Sequence, residues 1–228
     1  FRDFAERFGR RDPSSPVRDT HKLYEEIHGV LTGAAVDRPW LSRADYQELG
    51  VRQSIFLREE REAVYDVFEK YLEFLRTAEL YNPNLAAYGY LDQVRPHYDF
   101  VVADEVQDLT NVQLYLALKT LRADDNFVLC GDANQIVHPN FFSWAHVKTL
   151  FYERRLSGRA EIIRVLDANY RNSPQVTELA NRLLLIKHAR FGSIDRESNY
   201  LVRPMSDHPG VVEFFADKHR LYLSDTFN

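Results

Sequence analysis

Two adjacent carboxylates, Asp104 and Glu105, close an apolar run in the stretch 98–108, which reads YDFVVADEVQD. A second apolar run, Phe127-Val128-Leu129-Cys130, ends in Gly131-Asp132. Acidic oxygens at strand ends suit a hard divalent cation such as Mg²⁺, which takes one or two carboxylates and keeps water or phosphate oxygens for the rest. Asp104, at the strand end, is placed to hold such an ion through its inner-shell water. Glu105, turned the other way by strand alternation, is placed to orient and deprotonate an attacking water. Taken alone, an Asp-Glu pair after a buried strand more often marks a chain returning to solvent, so its meaning depends on the setting.

The charge distribution favours a cation site. The chain carries 29 Lys and Arg against 34 Asp and Glu, a net charge of −5, which argues against gripping nucleic acid by bulk positive charge. The net charge is −3 over residues 1–97, −4 over 98–150 and +2 over 151–228. Acid is therefore concentrated in the mostly apolar middle segment. Cys130 is the single cysteine, which excludes an internal disulfide framework and points to a reducing, intracellular setting. His138 and His146 share no Cys-x-x-Cys or His-x-x-x-His spacing with it, so zinc is not indicated.

The elements that must position these acids follow from periodicity. Residues 3–8 suggest a short helix before the loop run GRRDPSSP, and a helix opens at Asp19 or Thr20 and is closed by Gly33 and Pro39. Ser42 to Asp45 has the spacing of a capping box ahead of a short helix ended by Gly50. A long helix over about 57–79 buries Val64, Phe68, Tyr71, Leu72 and Leu75 on one face. Asn84 is expected to cap a helix over 85–94 that Pro96 stops. The pattern then changes to strand 100–103, helix 110–121, strand 127–130, helix 142–155, strand 162–166, a helix opened by Ser173-Pro174 and reaching about 187, and strand 211–215. Short apolar strands alternating with helices imply an α/β fold with a parallel sheet covered on both faces. In such sheets, ligands sit beyond the carboxyl ends of the strands, where both acidic ends lie.

The stretch 100–108 resembles the Walker B box of superfamily 1 helicases, in the DEVQD spelling of the UvrD/Rep family. Gly131-Asp132-Ala133-Asn134-Gln135 is similar to that family's motif III, and Asn169-Tyr170-Arg171-Asn172 to its motif IV. The resemblance implies a RecA-like P-loop NTPase sheet, with ATP and Mg²⁺ as cofactors. It makes Asp104 the metal-binding residue and Glu105 the general base. It also implies that Gln135 touches the γ-phosphate or its water, that Tyr170 stacks on adenine and that Arg171 reaches the γ-phosphate. From the residues alone, Tyr170 could equally be core and Arg171 a surface ion pair. Many family members follow motif III with Tyr-x-Phe/Trp-Arg-Gly-Ala, whereas this chain reads IVHPNFFSWAHV, so Phe141, Phe142 or Trp144 is the candidate platform for a DNA base.

No G-x-x-x-x-G-K-[ST] phosphate loop occurs in the 228 residues. The family places that loop upstream, so the expectation is an internal slice of a longer chain; Phe1 is not an initiator methionine. Residues 1–80 are then a helical subdomain like the family's 1B, 81–157 the second half of RecA-like domain 1A, and 158–228 the start of domain 2A. The expected activity of the whole protein is ATP-dependent unwinding of DNA by movement along single-stranded DNA, with the slice itself inactive. Two alternatives are a non-catalytic binding module that keeps helicase architecture and part of a helicase-nuclease. The expected partners are single-stranded DNA or its junction with duplex, ATP and the remainder of the same polypeptide. No run approaches the ~18 apolar residues of a membrane span, and the start FRDFAERFGRR lacks the apolar core of a signal peptide, so a cytoplasmic location is expected.

Overall fold

In the computed structural model, which describes residues 1, 4, 17, 19–51, 53–123, 126–132, 134, 135, 144, 147, 164–192 and 200–212, side-chain caps set the helix starts. The carboxylate of Asp19 accepts from the N–H groups of His21 and Lys22 at 3.1 Å, opening helix α1 (Thr20–Glu25). The chain continues as a π-helical segment, Glu26–Leu31, closed where Thr32 donates its N–H to the Ile27 carbonyl at 3.0 Å. Ser42 caps helix α2 (Arg43–Glu48), accepting from the Asp45 N–H at 3.2 Å. Helix α3 (Arg61–Thr77), shorter than the expected 57–79, buries Val64, Phe68, Tyr71 and Leu75 on one face, as the spacing predicts, while Leu72 is only half-buried. With Leu23, Ile27, Val30, Leu31, Tyr46 and Phe56 they form an apolar core.

Two polar groups hold that core together. Arg61, fully enclosed by the fold, donates to the carbonyls of Tyr46, Gln47, Leu49 and Gly50, so its charge sits on the carbonyl end of α2. Glu26, also buried, accepts from the Tyr46 hydroxyl at 2.7 Å, the Ile55 N–H at 2.9 Å and the Ser54 hydroxyl. Every regular element described before residue 98 is helical.

The expected cap at Asn84 is displaced. Helix α4 (Pro83–Tyr90) starts two residues earlier, capped by Asn82, whose carboxamide oxygen accepts from Asn84 N–H at 2.9 Å and Leu85 N–H at 3.2 Å. Pro83 explains the shift, since proline holds its predecessor extended and is itself preset for the first helical position. Asn84 is instead buried and reaches sideways. Its amide donates to the His28 carbonyl at 2.7 Å and the Thr32 hydroxyl at 3.1 Å, and its oxygen accepts from the Thr110 hydroxyl at 2.8 Å.

Strand β1 (Val101–Ala103) pairs in parallel with β2 (Phe127–Leu129), joined by helix α5 (Asn111–Lys119). Thr110 and Gln113 form a capping box at the start of α5. Coverage of both sheet faces is not what the described residues show. Val102 and Val128, opposite each other in register, are 65% and 45% exposed. Apolar content alone does not reveal which face of a strand has a neighbour, and here packing falls to the alternate residues: Ala103 and Leu129 pack against the buried cluster of Val106, Leu114 and Val147.

The chain divides into two compact units, and the elements so far belong to the first, Phe1–Ser157; the second is Gly158–Asn228. In the second unit, β3 (Ala168–Asn169) pairs in parallel with β4 (Arg203–Pro204), and helix α6 (Pro174–Phe191) is capped by Ser173. The expected strand at 162–166 is not formed by Arg164, Val165 or Leu166, and its first two residues lie outside the described ones. Pairing occurs further along because the partner segment meets the chain there. Arg203 donates its N–H to the Asp167 carbonyl and its guanidinium to the Asp167 carboxylate, while Met205 N–H bonds the Asn169 carbonyl at 2.9 Å. Val211 and Val212 are likewise not strand, and the rest of the expected strand at 211–215 is outside the described residues. The expected helices at 3–8 and 142–155 also lie largely outside them, although Phe4, Trp144 and Val147 have helical backbone.

Candidate functional site

At the carboxyl edge of the β1–β2 pair, the two acids occupy a loop held at both ends by one neighbouring residue. Cys130 donates its N–H to the Ala103 carbonyl at 2.8 Å and accepts from the Val106 N–H at 2.9 Å. Asp104 and Glu105, between those anchors, project from the edge with exposed side chains. Glu105 lies in the left-handed region at φ 53°, which a residue with a β-carbon adopts only where its surroundings enforce it. Its N–H bonds the Asp104 carboxylate at 2.9 Å. Asp104 and Glu105 thus leave the strand through a turn, rather than by simple alternation.

Beneath them lies Gln107, 2% exposed. Its amide nitrogen donates to Glu105 Oε2 at 2.5 Å, and its carbonyl oxygen accepts from the Asp132 N–H at 3.0 Å. One side chain therefore touches both acidic strand ends. The approach depends on Gly131: a β-carbon there would lie 2.6 Å from Gln107 Oε1 and 2.8 Å from Val106 Cγ2. Sequence alone does not reveal Gln107, which sits in the middle of the short turn Val106–Asp108 and meets Asp132 only in the fold.

Asp132 shapes the loop after β2. Its carboxylate accepts from Asn134 N–H at 2.8 Å and from the Gln135 side-chain amide at 2.9 Å, and its carbonyl accepts from Gln135 N–H at 3.0 Å. Gln135 is thereby folded back on the strand-end acid while remaining exposed. Trp144 is half-buried against the Val106, Leu114 and Val147 cluster directly under this edge. Phe141 and Phe142 lie outside the described residues.

In the second unit, Asn169 Oδ1 accepts from the N–H groups of Arg171 and Asn172, both at 2.9 Å, and this turn displays the two residues between. Tyr170 is 69% exposed, so it is not a core side chain. Arg171 is exposed and forms no ion pair among the described residues.

Chemically, the β1–β2 edge offers two adjacent carboxylates with no basic partner among the described residues. The described residues contain no group of three or more His, Cys, Asp or Glu able to hold a metal by themselves. That donor set fits Mg²⁺ bound together with phosphate and water oxygens, and does not fit a metal held by protein alone. No described helix is long and apolar enough to cross a membrane.

No protein-family model matches the chain. Over 99 residues, 43% of the chain, it is 32% identical to the ATP-dependent DNA helicase UvrD2 of Mycobacterium bovis. The same identity over the same length is found with the ATP-dependent DNA helicase UvrD2 of two strains of Mycobacterium tuberculosis. The match spans 14% of the length of each of these relatives. This similarity supports a relationship to UvrD-like helicases.

Proposed function

We propose that the chain carries the strand-end acids of the nucleotide site in an ATP-dependent DNA helicase, a motor that couples ATP hydrolysis to movement along single-stranded DNA. The observation that carries this reading is the looped-out Asp104-Glu105 pair, held beside the Gly131-Asp132 end of a parallel neighbour strand. The similarity to UvrD-type helicases supports reading that edge as part of a nucleotide site.

On this reading, Asp104 would hold Mg²⁺, which would supply neutralisation of phosphate charge. Glu105 takes a proton from the water that attacks the γ-phosphorus as the bond to the ADP oxygen breaks. Gln135 leaves its Asp132 contact to meet the γ-phosphate or that water. Tyr170 stacks on adenine, and Arg171 stabilises the charge that develops on the transferred phosphoryl group. Single-stranded DNA stacks on one of Phe141, Phe142 and Trp144, a contact worth about 1–3 kcal/mol per base. The remainder of the polypeptide supplies the phosphate-gripping loop.

The test is ATP hydrolysis by the natural full-length protein, with and without single-stranded DNA. Glu105→Gln is expected to lower kcat by about 10²- to 10⁴-fold while ATP binding persists. Retained DNA-stimulated turnover in that variant sinks the proposal.

A further inference from the structure

We propose that Gln107 is the positioning residue of this site, aiming the Glu105 carboxylate according to where the Gly131–Gln135 loop lies. This rests on the nucleotide-hydrolysis reading above. A carboxamide has one donor end and one acceptor end, and both are used here on opposite strand ends. Because the backbone N–H of Asp132 can only donate, the oxygen of Gln107 must face it, which turns the nitrogen toward Glu105 Oε2. The orientation is therefore set by the backbone of the second loop and is not free to invert.

Three further observations make the contact a control point. Gln107 is enclosed, so breaking either bond leaves a polar group without water to replace its partner. Glu105 occupies a left-handed backbone conformation that its neighbours must hold in place, and Gln107 grips its side chain. Gly131 leaves the space that Gln107 fills, so a displacement of the β2 end moves the carboxamide and, through it, the acid. Gln107 touches neither metal nor nucleotide on this reading, and acts only through Glu105.

The experiment compares ATP turnover by the full-length protein carrying Gln107→Met, Glu105→Gln, and both. Gln107→Met keeps the side-chain volume and removes both hydrogen bonds. The expected result is a kcat lowered on the order of 10- to 100-fold. KM for ATP should stay within about threefold, because ground-state binding is not the interaction removed. In the double variant, Gln107→Met should add nothing to the loss caused by Glu105→Gln, because the two residues act as one unit. If Gln107→Met alters KM in step with kcat, or lowers turnover equally in both backgrounds, Gln107 is only a packing residue and the proposal is overturned. A wild-type kcat in Gln107→Met overturns it as well. Should Glu105→Gln itself retain turnover, the underlying hydrolysis reading fails, an outcome distinct from the failure of Gln107 alone. Gly131→Ala supplies an independent arm, since it displaces Gln107 without changing it and is expected to give the same drop in kcat.

Discussion

Glu26 sits in the helical core with its carboxylate accepting from Tyr46, Ser54 and Ile55. Burial is the largest influence on it and holds its carboxyl above the ordinary carboxylate range, against the lowering effect of those bonds and of Arg61. The folded chain then binds this proton more tightly than the unfolded chain. Its contribution to stability is full below the ordinary value and is lost as pH rises through the raised one. Glu26→Gln should therefore flatten the fall in stability as pH rises above the ordinary carboxylate range, measured by urea unfolding of both proteins across a pH series. Coincident slopes would show that Glu26 does not exchange its proton on folding. At this scale the sequence displayed the residues proposed to bear chemistry and hid those that contact them. Asp104 and Glu105 are legible because they stand in a stretch, DEVQD, that resembles a known family motif. Gln107 and Gly131 are not, because their roles arise from a meeting of two loops far apart in the chain.

Helix starts were the most readable elements, because a cap is a local event. Asp19, Ser42 and Ser173 each stand where an oxygen-bearing side chain precedes a helical period, and each accepts from the first turn. Asn82 and Asn84 show the limit of such reading. Both stand at the start of a helix, but Asn82 caps it while Asn84 ties α4 to Thr32 and to Thr110, the residue that opens α5. Gly33 completes that junction, with the position of a β-carbon lying only 2.8 Å from Thr110 Cγ2. The two asparagines should respond differently to alanine. Asn82→Ala removes a cap and costs about 0.5–2 kcal/mol. Asn84→Ala removes partners from several buried groups at once, each worth about 1–3 kcal/mol when left unsatisfied, and should be the more damaging change. Denaturant unfolding of the two variants decides the matter, and equal losses would mean that Asn84 is no more than part of the helix start. Strand limits were less readable because pairing depends on a distant segment: β3 forms at Ala168–Asn169, where Arg203–Pro204 meets it, and not over Val165 and Leu166 just before.

At the scale of the whole chain, the residues singled out by the sequence fall in both compact units. Asp104, Glu105 and Gln135 belong to the first, and Tyr170 and Arg171 to the second. The net charge of −5 gives no general attraction for a phosphate backbone, so any affinity for single-stranded DNA must come from local contacts such as base stacking. Nothing in the 228 residues has the G-x-x-x-x-G-K-[ST] spacing that wraps phosphates in backbone N–H groups and places a lysine against them. Carboxylates alone repel a nucleotide triphosphate, and a cation shared with the nucleotide is held weakly when the phosphates are not otherwise gripped. Residues 1–228 by themselves should therefore show no DNA-stimulated ATP hydrolysis, even at millimolar ATP and Mg²⁺, whereas the natural full-length protein should turn over. The measurement is phosphate release by both proteins with and without a single-stranded oligonucleotide. Turnover by the 228-residue chain that Glu105→Gln abolishes would mean that the acids at the β1–β2 edge work without a phosphate loop, and the proposal that another segment supplies that loop would have to be abandoned.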